Sequence, residues 1–89
     1  MPYIKQERRA ELDKKIEQLF DEELSFGDLN YIISRIVKNL MEQAIKLGKF
    51  NYEFCNSIIG VLECAKQEFY YRVVTPYETL KINQNGELY

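Results

Sequence analysis

The side chains with the greatest chemical reach lie in one stretch, Gln67-Glu68-Phe69-Tyr70-Tyr71-Arg72, with Tyr77 five residues further on. Tyrosine rings stack on planar ligands and keep a hydroxyl for hydrogen bonding, and an arginine fork grips phosphate or carboxylate at two points. Tyr70, Tyr71, Arg72 and Tyr77 are therefore the candidate ligand residues, placed around a ring or phosphate. Asn56 and Gln67 are the candidate polar readers, because helical spacing puts them on one face with Gly60, Glu63, Cys64 and Tyr71. The competing use of such a cluster is subunit contact, since a half-covered surface also favours tyrosine.

Catalytic chemistry finds little support. The chain has no histidine, which removes the commonest general base and metal ligand together. Glu63 and Glu68 do not share a helix face, no serine or cysteine has a candidate base, and Gly27 and Gly48 are isolated rather than part of a phosphate loop. The expectation is a protein that is not an enzyme and uses neither cofactor nor metal. Cys55 and Cys64 are nine residues apart on one expected helix, hence on opposite faces and roughly 13 Å apart along its axis. That spacing forbids an internal disulfide and fits a reduced, cytoplasmic setting.

The elements that must position these residues are helical. Leu12, Ile16, Leu19 and Phe20 recur at helical spacing and predict a short first helix over about 6–21, fraying into the acidic Asp21-Glu22-Glu23. Ser25 is an N-cap and Gly48 a C-terminal stop for a second helix over 26–47. Its apolar arc of Leu29, Ile33, Ile36, Val37, Leu40, Met41, Ala44, Ile45 and Leu47 is wider than one neighbouring helix needs. Asn30 and Ser34 interrupt that arc and call for hydrogen-bond partners if buried, while Tyr31 and Arg35 flank it and suit a charged or planar partner. Asn51 caps a third helix over 52–74, ended by Pro76. Gly60 in its middle costs about 1 kcal/mol against alanine, which close helix packing or a ligand on the backbone would offset. Residues 76–89 then read as an extended tail, with Asn85-Gly86 a type I′ turn signal and a terminal hairpin or ordered arm.

The fold class expected is all-α: one domain over 1–89, an antiparallel hairpin of two long helices, a short N-terminal helix and an extended C-terminal tail. Eighty-nine residues bury a thin core. A wide apolar stripe on so small a chain points to a homo-oligomer. A net charge of −2 lacks the basic excess of a duplex-binding protein, so no duplex nucleic acid is expected. Arg35, Lys38, Glu42 and Lys46 interrupt the most apolar stretch, so no membrane partner is expected either. Lys5, Arg8, Arg9, Lys14 and Lys15 are interleaved with Glu7, Glu11 and Asp13, which reads as a solvated face.

The signatures MPYI at the start, GDLNY at 27–31, IIGVLECAKQEFYYRVVTPYE at 58–78 and NGELY at the close carry a resemblance. Nearly end to end, the chain resembles a family of short uncharacterised proteins associated with bacteria and their phages. That family usually has arginine at the position of Tyr71. The resemblance implies a phage or bacterial origin. Size and helical make-up add an analogy with phage proteins that sequester cyclic nucleotide signals of antiviral defence. The functional expectation is a non-catalytic, homo-oligomeric binding protein that captures a small nucleotide-like ligand at a subunit interface in an anti-defence role. The alternative is a protein–protein interaction module that inhibits or adapts a host or phage protein.

Overall fold

The computed structural model describes residues 4–89, and every described regular element is helical. The beginning of the MPYI signature, residues 1–3, lies outside the described residues. The chain forms two compact units, Met1–Gly48 and Lys49–Tyr89.

The first unit contains α1 (Gln6–Glu17), a 3-10 turn (Gln18–Phe20) and α2 (Phe26–Lys46). Regular α-helix ends at Glu17, short of the expected boundary near residue 21. A tightened last turn precedes the acidic run 21–23, whose charge opposes a helix C-terminus. The next helix starts firmly. Ser25 Oγ accepts from the Asp28 N–H at 3.0 Å, and the Asp28 carboxylate accepts from the Ser25 N–H at 2.9 Å. This reciprocal cap satisfies two of the N–H groups that a helix start leaves without carbonyl partners. The Ser25 N–H, and then its hydroxyl, hold the Asp28 carboxyl below its ordinary value of 3.8. At the other end Gly48 takes φ 69°, the left-handed stop that favours glycine.

The second unit is one nearly unbroken helical run: α3 (Tyr52–Phe69), a π-helical turn (Tyr70–Val74) and α4 (Thr75–Asn85). Asn51 opens it by accepting from the Phe54 N–H at 2.8 Å. The Phe50 and Phe54 rings pack across that cap, 5.8 Å between centroids. The expected extended tail is thus corrected: the helix continues past Pro76 to Asn85. Proline is tolerated in the first turn of a helix, where no N–H is required of it. Gly86, at φ 97°, ends α4 instead of forming the expected hairpin turn.

Packing within this chain is sparse. Ala44, 5% exposed, is the one buried residue among those described. Leu12, Leu24, Ile32, Val37 and Met41 in the first unit, and Phe54, Ile58 and Val74 in the second, are half-buried. Asn30 and Ser34, expected to need internal partners, are exposed. The chain presents 8472 Å² to solvent. Two separate compact bodies, each of half its mass, would together expose only about 6,600 Å². The chain exposes about 1,900 Å² more than that.

Candidate functional site

Pro76 explains the local geometry of the tyrosine cluster. Its ring has no N–H and would collide with the carbonyl four residues back in a regular α-helix. The backbone responds by widening one turn: the Thr75 N–H donates to the Tyr70 carbonyl, five residues earlier. In an α-helix eight residues overshoot two turns by about 80°, and the additional residue in the π turn absorbs most of that angle. Tyr70 and Glu78 consequently align, and the Tyr70 hydroxyl donates to Glu78 Oε1 at 3.1 Å. That hydrogen bond, and then the negative charge of Glu78, raise the Tyr70 phenol above its ordinary 10.0.

Tyr71 and Arg72 fall on the other side of the widened turn. With Thr75, Pro76 and Thr79 they line an open cleft of about 550 Å³. Tyr71 is 72% exposed, leaving its ring free to stack. Arg72 Nε donates to Glu68 Oε1 at 3.1 Å. An exposed pair of this kind contributes little to stability, so an anionic ligand can compete for the guanidinium. Thr79 adds a hydroxyl that donates to the Thr75 carbonyl at 3.1 Å.

The six sequence candidates therefore separate. Tyr71 and Arg72 share the cleft, Tyr70 is turned to Glu78, and Tyr77 sits under the Lys81 ammonium at 5.6 Å from its ring centre. Gln67 donates to Glu63 Oε1 at 3.0 Å, and Lys66 lies 3.3 Å from the same oxygen. Both contacts, Gln67 first, hold the Glu63 carboxyl below its ordinary 4.5. Asn56 is exposed on the same helix face, but fifteen residues before Tyr71, about 22 Å along the axis. One small ligand cannot touch both on a single chain. Sequence alone does not single out Thr75, Pro76 and Thr79, because a proline after a long helix signals a stop; proline followed by Glu78 in the first turn is also a helix-start signal.

A second open groove, of about 410 Å³, lies between α1 and α2. Ile16, Leu19, Ile32 and Ile36 supply its apolar lining, and Lys15, Tyr31, Arg35 and Asn39 its polar one. Tyr31 and Arg35, singled out for a charged or planar partner, thus join Lys15 at one place. Within its own unit, a methyl at Gly60 would meet no described atom within 4 Å.

Among the described residues no group of three His, Cys, Asp or Glu side chains is gathered as a metal site, and Cys55 and Cys64 are free, exposed thiols. No helix among them is long and apolar enough to cross a membrane. No curated protein and no solved structure matches the chain. The end-to-end likeness read from its signatures nevertheless has a counterpart: across residues 1–88 the chain belongs to the family described as Domain of unknown function (DUF6899).

Proposed function

We propose that the protein is a non-catalytic, homo-oligomeric binding protein that captures a small phosphorylated ligand with a planar ring, of the nucleotide class, at a subunit interface. The observation that carries this reading is the Tyr71–Arg72 cleft, where an exposed tyrosine and an arginine line one opening together with Pro76. Stacking on the ring and a two-point grip on phosphate are the interactions that recognise such a ligand. The cleft is open on the single chain, and a chain with one buried residue among those described needs partners to cover its apolar side chains. A neighbouring subunit laid across the cleft would give it depth and bring Asn56, Gln67, Tyr70 or Tyr77 of another copy to the ligand. As a phage-associated protein in the host cytoplasm, it would serve anti-defence by withdrawing a nucleotide signal.

Native mass spectrometry of the full chain with a panel of cyclic and linear nucleotides tests the reading. The expected result is discrete ligand additions to an oligomer, lost in Arg72→Glu while the oligomer persists. Binding unaffected by Arg72→Glu, or a panel that yields no addition, would overturn it. A second reading is favoured by the exposure of Tyr70, Tyr71 and Tyr77, which present aromatic surface without an enclosing wall. Such a face suits a protein partner, and capture of one defined partner through it, lost in Tyr71→Ala, would make the protein an interaction module.

A further inference from the structure

We propose that the groove between α1 and α2 receives the segment Glu87-Leu88-Tyr89 of a second copy of the chain. This names a contact within the oligomer proposed above and rests on that reading.

The lining of the groove decides what it can accept. Its floor is aliphatic, its two charged side chains, Lys15 and Arg35, are both cationic, and no carboxylate lines it. An isologous contact, groove against groove, would bring those cations toward one another and leave them unpaired. The groove is therefore suited to a different surface, one that carries apolar side chains next to an acid.

The segment after α4 has that composition. Gly86 ends the helix at φ 97°, and the residues beyond it are not helical. Leu88 is 86% exposed and Tyr89 fully so, with Glu87 adjacent. In extended backbone successive side chains alternate, so Leu88 can enter the aliphatic floor while Glu87 and Tyr89 point to the rim. There Glu87 meets Arg35 or Lys15, and Tyr89 meets the Tyr31 edge. The other acidic stretch, 21–23, is not free to do this. It runs directly into half-buried Leu24 and the Ser25–Asp28 cap, which fix its path. Two copies can exchange tails reciprocally about a twofold axis and close as a dimer, or the contact can run head-to-tail until a larger ring closes.

Sedimentation of the full chain over a range of concentrations tests the contact, with Leu88→Asp, Arg35→Glu, and the charge swap Glu87→Arg with Arg35→Glu. All the substituted side chains are exposed, and far-UV circular dichroism monitors helix content. Leu88→Asp and Arg35→Glu should each weaken self-association by about tenfold or more, and the charge swap should recover most of the loss. Variants that associate as the unaltered chain does would overturn the contact while leaving the oligomer intact. A monomeric unaltered chain would overturn the oligomer reading itself.

Discussion

Dilution is the most informative perturbation of a chain built this way. One described residue is buried, and about 1,900 Å² is exposed beyond what two separate compact bodies would show. If a second copy covers that excess on each chain, about 3,800 Å² disappears per dimer, well inside the range of obligate interfaces. Folding and association are then one equilibrium, and stability depends on protein concentration. For a dimer, the smallest such assembly, a hundredfold dilution removes about 2.7 kcal/mol. At about 2–4 °C per kcal/mol for a unit of this combined size, Tm should fall by about 5–11 °C. Circular dichroism melts at micromolar and at hundredfold higher concentration would measure it, with sedimentation giving the mass. A monomer whose Tm does not change with concentration would refute the reasoning, because it would show that the exposed apolar faces need no second copy.

Other expectations follow from individual residues. Ser25→Ala removes the hydroxyl that caps α2 and should cost about 1 kcal/mol, read as a lower Tm at fixed concentration. Gly60→Ala should stabilise α3 by about 1 kcal/mol, since the new methyl meets no described atom of its own unit; a fall in both Tm and oligomer mass would instead place a subunit contact on that face. The Asp28 and Glu63 carboxyls are held below 3.8 and 4.5, so their stabilising contacts are complete above those values. They are lost as pH falls through the lower folded values, and helix content followed by acid titration should decline there, earlier in Ser25→Ala. The opposite sign applies to Tyr70, whose phenol is raised above 10.0 by Glu78: its contact is complete below pH 10.0 and lost as pH rises through the higher folded value. Ultraviolet titration of the unaltered chain and of Glu78→Gln should differ by one phenol, whose ionisation moves to lower pH in the variant.

Much of the helical architecture was legible because its ends are written in local chemistry. Ser25, Asp28, Gly48 and Asn51 act on backbone groups one to three residues away, so their effect can be read without knowing the tertiary structure. Pro76 has no such single meaning. It is a stop in a helix interior and a permitted residue in a first turn, and only the continuation through Glu78, Leu80 and Ile82 decides between them. The site inherited that ambiguity. Tyr71 and Arg72 are neighbours in sequence and both line the cleft, whereas Tyr77 would join them only if the chain turned after Pro76. The groove was half visible, since Tyr31 and Arg35 flank the α2 stripe, whereas Lys15 and Ile16 join them only once α1 packs against α2.

The π turn has a consequence for how α4 is aimed. A single surplus residue between Tyr70 and Val74 works as a phase shifter: it rotates every side chain after it by roughly 100° about the axis while barely moving the axis itself. Faces on the two sides of the turn are thereby indexed independently. Removing the residue, or replacing Pro76 so that the turn relaxes to α geometry, would swing Thr79 out of line with Tyr71 and Glu78 away from Tyr70. Composition would be nearly untouched, and the cleft would be dismantled by a change of angle alone.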